Sequence, residues 1–298
     1  MKKCRRPLAA RSLSLGVALL AASVFMGGGT AGATPTPVGL GTATAFAIRA
    51  GAGISNTGAG TAITGNIGND PGAGTQITGL TCTPPQVTGT IYQVSAGGPT
   101  PCTQTNAGLM GTVQSDALAA FTHTAGLPGA TTLPADLAGQ NLVAGLYKFP
   151  AAATNLSTTL TLNAQGDPNS VWIFQATSSL ITSPGSTVQF VDPPPGVSAA
   201  QLACNVFWTV PSSATIDTTT TFVGTILALT SISVNNGAVI TGRLLADNEG
   251  SHTGAVTLIG DTITTPTGCA VLPAGTGGGP ATTAAPATPV VSPPAFTG

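Results

Sequence analysis

Residues that could carry out acid–base or metal chemistry are few and scattered. Asp247 and Glu249 form the one close acidic pair, in a segment that reads as a turn, and Asp261 follows Arg243 by one eighteen-residue repeat. The two histidines, at positions 123 and 252, have no cysteine or acid cluster beside them. Catalysis and metal binding need several such groups converging on one site. We therefore expect no enzymatic activity, no bound metal and no cofactor.

Small and hydroxyl-bearing residues, in contrast, recur at a fixed spacing towards the C-terminal end. Apolar residues follow apolar residues, and glycine follows glycine, at intervals of eighteen. The series are Phe222, Ile240 and Leu258; Gly224, Gly242 and Gly260; Leu227, Leu245 and Ile263; and the pair Ile216 and Val234. A short period of this kind predicts a solenoid whose coils stack on one another.

Strand alternation assigns the residues of this repeat to the inside or the outside of the coils. Phe222, Ile240 and Leu258 are predicted to face inward. The outer columns are then Thr221, Val239 and Thr257 on one strand, and Ser213 over Ser231, Thr215 over Ser233 and Asp217 over Asn235 on the next. Flat hydroxyl-rich faces favour surface recognition over catalysis in a pocket, although threonine is common on any solvated strand.

One segment has helical periodicity. Between about Thr105 and Ala125, apolar residues form a single helical stripe that Gly126 and Pro128 bring to an end. The stripe consists of Met110, Val113, Ala117, Phe121 and Ala125. We expect one substantial helix, packed along one side of the coils, while the remaining apolar runs are short strands separated by turns.

The two ends differ from the middle in composition. Residues 1–33 resemble a secretory signal, with five basic residues, an apolar run over 13–26 and a small-residue cleavage site before Thr34. We expect a short N-terminal segment over 34–42, a folded domain over 43–270 and a flexible Pro/Thr/Ala/Gly-rich tail over 271–298. The tail could associate with the cell envelope, although its end lacks the features of a complete sorting signal. The protein is predicted to be secreted and monomeric, with no membrane span in the mature chain.

Charge and cysteine content restrict which classes of partner and which cross-links are expected. The whole chain has a net charge of −1, but without residues 1–33 three basic residues (Arg49, Lys148 and Arg243) face nine acidic ones, a net of −6. Nucleic acid is therefore an unsuitable partner. Four cysteines remain, which allow three pairings; we favour Cys82–Cys102 and Cys204–Cys269. A zinc site is disfavoured because no CxxC spacing occurs.

Three stretches, 163–175, 204–208 and 221–232, carry a resemblance to a known family. Their sequences, NAQGDPNSVWIFQ, CNVFW and TFVGTILALTSI, resemble the bacterial and fungal ice-binding proteins, and the similarity extends over roughly 44–265. The resemblance implies an all-β fold with one long helix: a right-handed parallel β-helix of triangular cross-section with the helix packed alongside. It also implies that N-terminal coils stack next to C-terminal ones.

Active members of that family carry a loose Thr-(Ala/Gly)-x-(Thr/Asn) pattern on one flat face. Residues 61–64 fit this pattern and residues 75–78 nearly fit it, whereas Thr219, Asn236 and Gly254 depart from it. The ice-binding candidates are Thr61, Thr64, Thr75, Thr78, Ser213, Thr215, Thr218, Thr219, Thr221, Ser231, Ser233, Asn236, Val239, Ala255 and Thr257. The expected function is adsorption to ice or ordered water through a Ser/Thr-rich face. The alternative is an extracellular adhesion or structural solenoid without ice activity.

Overall fold

A computed structural model describes residues 35–70, 76–83, 86–150, 153–247 and 252–277. Within these ranges the chain winds into stacked coils of short strands, which pair in parallel as one sixteen-stranded and one seven-stranded sheet. The larger sheet bends along its length, so that the coils present three flat faces, which we name face A, face B and face C. The predicted β-helix is confirmed.

Face A is made of eight whole strands and the second halves of two long ones. In chain order the whole strands are β1 (Phe46–Ala50), β4 (Asn66–Asn69), β7 (Ile91–Gln93), β8 (Thr103–Thr105), β9 (Thr131–Thr132), β11 (Gly145–Lys148), β14 (Trp172–Gln175) and β17 (Val206–Val210). The long strands are β19 (Thr221–Ala228) and β21 (Val239–Leu245).

Face B contains the first halves of β19 and β21 and six further strands. These are β3 (Ala62–Thr64), β6 (Val87–Thr88), β10 (Asn141–Val143), β13 (Thr159–Asn163), β16 (Thr187–Val191) and β23 (Thr262–Thr264). Face C is the seven-stranded sheet. Its strands are β2 (Gly53–Asn56), β5 (Ile77–Thr78), β12 (Ala153–Leu156), β15 (Ser179–Thr182), β18 (Ala214–Ile216), β20 (Ile232–Val234) and β22 (Ala255–Leu258).

Stacked glycines turn the long strands from face B to face A. Gly224 has φ of +113°, a backbone conformation that side chains rarely allow, and it pairs with Gly242 of the next coil. A Cβ on Gly242 would come within 1.9 Å of the Gly224 carbonyl oxygen. Both positions therefore require glycine, which explains why the residue recurs at this spacing.

In the described part of the chain, three helical segments accompany the coils: a 3₁₀ helix (Gly41–Ala45), the long helix α1 (Ala107–Gly126) and the short α2 (Ala199–Ala203). The Asn106 side chain caps α1 by accepting the Leu109 N–H at 3.0 Å. Helix α1 packs on face A, burying Met110, Val113 and Phe121 against Phe207 and its neighbours. The predicted helix is thus confirmed, except that Ala125 is exposed and Thr124 is buried.

The coils do not stack in chain order. The first coil of the chain lies on the last, because Ile48 of β1 pairs with Leu244 of β21 and Ile63 of β3 pairs with Ile263 of β23. On face C, β2 likewise pairs with β22. The implied rearrangement of coils is therefore confirmed.

A buried arginine joins these first and last coils. Arg49 on β1 is fully buried and donates from Nη1 to the carbonyl oxygens of Ala246 and Asp247, at 2.7 and 2.6 Å. Its guanidinium also lies 3.8 Å from the Asp247 carboxylate and 3.7 Å from that of Asp70. Burial lowers the pKa of Arg49, and the two carboxylates oppose that effect.

The eighteen-residue register holds for one pair of coils and then changes. Phe222 pairs with Ile240 as predicted, but Ile240 pairs with Ile263, so the prediction that Leu258 continues this interior column is wrong. The same change removes Gly260 from the glycine column and Ile263 from the column of Leu245. The physical reason is connection length: β19 and β20 are separated by residues 229–231, whereas β21 and β22 are separated by residues 246–254.

Aromatic side chains fill the interior of the earlier coils. The rings of Phe174 and Trp208 stack with centroids 4.1 Å apart, and Phe222 lies 5.1 Å beyond Trp208. The indole N–H of Trp208 donates to the Val223 carbonyl at 3.0 Å, so its polar atom is satisfied inside the core. This rigid interior supports the flatness of the outer faces.

Both favoured disulfides are present, Cys82–Cys102 and Cys204–Cys269. The second joins α2 to the segment that follows β23 and lies beside Arg243, whose Nη2 is 3.5 Å from the Cys269 sulfur. The chain then runs back to the beginning of the described domain, where the Gly39 N–H donates to the Thr276 carbonyl at 2.8 Å.

Candidate functional site

Face B carries two columns of outward side chains that are dominated by threonine. The pairing of neighbouring strands sets the order within each column. The first column is Thr159, Thr187, Thr221, Val239, Thr262 and Ala62. The second contains Asn141, Thr161 and Gln189, and then Thr241, Thr264, Thr64 and Thr88; Val223, which pairs with Thr241, is buried against the core. None of these side chains is charged.

Strand geometry makes this array regular. Neighbouring strands lie about 4.8 Å apart, so successive members of a column repeat at that distance. The residues between the columns, such as Leu160, Ile240 and Ile263, are fully buried and fix the strands to the core. Threonine is branched at Cβ and has few accessible χ1 rotamers, so its methyl and hydroxyl groups are held in place.

Many hydroxyls on face B make no protein hydrogen bond. Within the described ranges, the Oγ1 atoms of Thr187, Thr221 and Thr262 have no protein partner, while Thr161 accepts a long bond of 3.4 Å from Gln189. These hydroxyls are available to water. Face B is therefore a flat, uncharged surface that can order water through alternating methyl and hydroxyl groups.

Face C has a similar outline but a different composition. One column contains Asn155, Ile181, Thr215, Ser233, Thr257, Ser55 and Thr78. In the column beside it, the Ser213 hydroxyl is 2.7 Å from that of Thr230, and the Ser231 hydroxyl accepts the Ala255 N–H at 3.0 Å. The hydroxyls of this second column are thus bonded within the protein, whereas those of Thr215, Ser233 and Thr257 in the first have no partner among the described residues.

The sequence model of the ice-binding-like family matches residues 48–264 of the chain. The chain belongs to that family. An ice-binding protein of a Colwellia species is 34% identical over 215 residues, covering 70% of this chain and 76% of that protein. One from Flavobacterium frigoris is 35% identical over 209 residues, covering 69% of this chain and 68% of that protein.

A solved structure supports membership of the ice-binding-like family. The domain of ice-binding protein 1 from Shewanella frigidimarina superposes with a TM-score of 0.66 at 28% identity, covering 78% of this chain and 99% of that one. The resemblance inferred from 163–175, 204–208 and 221–232 is therefore confirmed. No helix among the described residues is long and apolar enough to cross a membrane.

The structure of this family member distributes the candidate residues over two faces. Those on face B are Thr64, Thr221 and Val239. Those on face C are Thr78, Ser213, Thr215, Ser231, Ser233, Ala255 and Thr257. The turns between faces C and B hold Thr218, Thr219 and Asn236, and Thr75 lies outside the described residues.

Two of these placements correct the sequence interpretation. Thr257 does not continue the column of Val239, because Thr262 pairs with Val239 while Thr257 pairs with Ser233 on face C. Thr61 does not face outward: its side chain is 2% exposed and its hydroxyl donates to the Asn56 carboxamide oxygen at 2.7 Å. Its hydroxyl is therefore not available at the surface.

Sequence reasoning missed most of the threonines of face B. The omitted residues are Thr88, Thr159, Thr161, Thr187, Thr241, Thr262 and Thr264. A signal was available, because residues 159–161 and 262–264 both read threonine, apolar residue, threonine. That pattern places two hydroxyls on one side of a strand and an apolar side chain on the other.

Among the described residues, those considered for acid–base or metal chemistry do not converge; Glu249 lies outside them. Asp261 is buried in a turn, whereas Arg243 lies on face A and donates from Nε to the Thr44 carbonyl at 2.9 Å. Asp261 therefore does not lie under Arg243, where the eighteen-residue repeat had placed it. His123 contacts the Gly277 carbonyl, and the described residues contain no group of three His, Cys, Asp or Glu side chains that could hold a metal.

Proposed function

We propose that this protein adsorbs to ice through face B. The observation that carries the proposal is the pair of threonine columns, with uncharged side chains and with hydroxyls free of protein partners at Thr187, Thr221 and Thr262. The methyl groups order the adjacent water and the hydroxyls join that ordered layer. Because the rotamers are already restricted, little side-chain entropy is lost on binding.

Two further observations support this function. The relatives from Colwellia and Flavobacterium frigoris are named ice-binding proteins. In addition, face A is covered by α1, and the described strands of face C have a single column of free hydroxyls, because in the column beside it Ser213 and Ser231 are bonded within the protein and Ala255 has no hydroxyl. Face B is thus the flat surface best suited to water. We further propose that the protein is secreted, with residues 1–33 as its signal and residues 271–298 as its tail.

The test compares Thr221→Tyr on face B with Thr257→Tyr on face C. Both threonines are exposed, and each lies on a strand between two paired neighbours. Tyrosine at position 221 should hold ice away from the array and remove thermal hysteresis and recrystallisation inhibition. Tyrosine at position 257 should leave both unchanged, and both variants should melt close to the wild type.

The pattern of loss identifies the error if the proposal is wrong. Loss of thermal hysteresis in Thr257→Tyr alone would assign ice binding to face C. Full activity in both variants would exclude both columns. Round, unfaceted crystals with the wild-type protein at high concentration would reject ice binding and favour an adhesion or structural role.

A further inference from the structure

The turns that connect face C to face B differ in length from coil to coil. Residues 217–220 and 235–238 form this turn in two successive coils, but only residues 259–261 form it in the third. We name these turns the first, second and third corner. The third corner is one residue shorter, yet the strands on both sides remain paired: Ser233 with Thr257 on face C and Val239 with Thr262 on face B.

The last N–H of the first corner is bonded within its own turn, without a carboxylate from the next coil. The Thr220 N–H donates to the Asp217 carbonyl at 3.3 Å within the turn, and the Thr219 N–H donates to the Asn236 carbonyl of the next coil at 3.0 Å. In the second corner the equivalent bond, from the Ala238 N–H to the Asn235 carbonyl, is similarly long at 3.4 Å. The same N–H has a second acceptor in the neighbouring coil.

Asp261 supplies that acceptor from the third corner. Its side chain is fully buried; Oδ2 accepts the Ile259 N–H of its own turn at 2.7 Å, and Oδ1 accepts the Ala238 N–H of the neighbouring coil at 3.0 Å. The Thr262 N–H in turn donates to the Ala238 carbonyl at 2.9 Å. A closed ring of hydrogen bonds thus joins the two residues that directly precede Val239 and Thr262.

We propose that Asp261 is a positioning residue for face B: its carboxylate replaces the missing turn residue and holds Thr262 level with Val239 and Thr221. The inference rests on the proposed function, because it concerns how the ice-contacting array is kept flat. A buried carboxylate that accepts backbone N–H groups does what a longer turn does with its own carbonyl groups. The acid therefore acts through the backbone and does not contact ice.

The first experiment replaces Asp261→Asn. The amide has nearly the same shape but substitutes an N–H₂ donor for one of the two acceptor oxygens, so one backbone N–H loses its partner. The expected result is a folded protein with several-fold lower thermal hysteresis and faster hydrogen exchange at the Ala238 or Ile259 amide. The matched control is Asp217→Asn in the first corner, where the carboxylate bonds the Thr218 N–H and the Asn235 side chain. It should keep full activity.

A second variant removes the acid but restores the corner. Residues 259–261 are replaced by the four-residue sequence of the second corner, Asn-Asn-Gly-Ala. This variant should keep wild-type thermal hysteresis, because the longer turn closes through the carbonyl group of its own first residue, as Ala238 and Asn235 do in the second corner. The variant also decides the question if Asp261→Asn does not fold.

The outcomes separate this inference from the proposed function. Wild-type activity in folded Asp261→Asn would overturn the inference, as would a corner replacement that fails to fold or lacks activity. In either case an active wild type would leave ice binding through face B intact. If the wild type itself shows no thermal hysteresis, the proposed function and the inference that rests on it both fail.

Discussion

At the scale of single residues, threonine side chains determine the surface chemistry of face B. Face C contains serine and threonine too, but Ser213 and Ser231 direct their hydroxyls to other protein groups. Serine lacks the second Cβ substituent that restricts the threonine rotamer, so its hydroxyl turns readily towards a nearby backbone group. Within the described ranges, face B therefore has two columns with free hydroxyls, whereas face C has one.

One residue interrupts the first column of face B and offers a gain-of-function test. Val239 is 45% exposed and lies between Thr221 and Thr262. Val239→Thr keeps the branched shape and adds a hydroxyl in the plane of its neighbours. We expect higher thermal hysteresis and a change in unfolding free energy within about 0.5 kcal/mol, as is usual at exposed positions.

The control for this substitution is Ile181→Thr, at a similarly exposed position on face C. It should leave thermal hysteresis unchanged. An equal gain from both substitutions would show that added hydroxyls act regardless of face, contrary to the proposal.

Asp261 also predicts a pH dependence of stability. Burial raises its pKa above the ordinary 3.8, and hydrogen bonds from Ile259 and Ala238 oppose that effect. As the pH rises from 3.8 to the folded pKa, the unfolded state holds fewer protons than the native state. The free energy of unfolding contributed by this group therefore falls with rising pH. Asp261→Asn should abolish that component in urea titrations between pH 3 and 7.

For Asp217, the predicted pH dependence of the free energy of unfolding has the opposite sign. Hydrogen bonds from the Asn235 side chain and the Thr218 N–H lower its pKa. Its contribution to stability is lost as the pH falls through the folded pKa, so Asp217→Asn should remove a component that increases with pH. Parallel pH profiles for the two variants would contradict the assignment.

At the scale of elements, connection lengths decide which residues share a face. Strand alternation correctly sent Phe222 and Ile240 inward, and the helical stripe correctly gave α1. Leu258 is also buried, so the repeat found the right orientation but the wrong sheet. Alternation places an apolar residue inward at every second position, and a shifted register can therefore still match apolar with apolar. The longer connection over 246–254 was not visible as a break in that match.

The two disulfides should differ in their contribution to stability. The chain-entropy relation gives about 4 kcal/mol for a loop of about 65 residues and about 3 kcal/mol for one of about 20. The sequence separations are 65 for Cys204–Cys269 and 20 for Cys82–Cys102. Replacing both Cys204 and Cys269 by serine should lower the urea midpoint of unfolding more than replacing both Cys82 and Cys102. A larger effect of Cys82→Ser with Cys102→Ser would contradict this order.

At the scale of the whole molecule, the unusual feature is the order of the coils. Nothing in the eighteen-residue repeat indicates that β1 lies beside β21; that expectation came from the family resemblance alone. Physical reasons for the arrangement appear only in three dimensions, where Arg49 reaches the carbonyl groups of Ala246 and Asp247. Such contacts join residues nearly 200 positions apart, which no local pattern records.

This order of the coils delays the pairing of the N-terminal strands in the nascent chain. Among the strands of the described domain, β1 to β3 are synthesised first and have their stacking partners in β21 to β23, which are synthesised last. Native pairing of that segment must therefore wait until almost the whole domain exists, and contacts between such distant segments form slowly. A product that terminates before residue 239 lacks the surface on which its own beginning should rest. The order of the coils thus prevents a truncated chain from assembling a continuous face B.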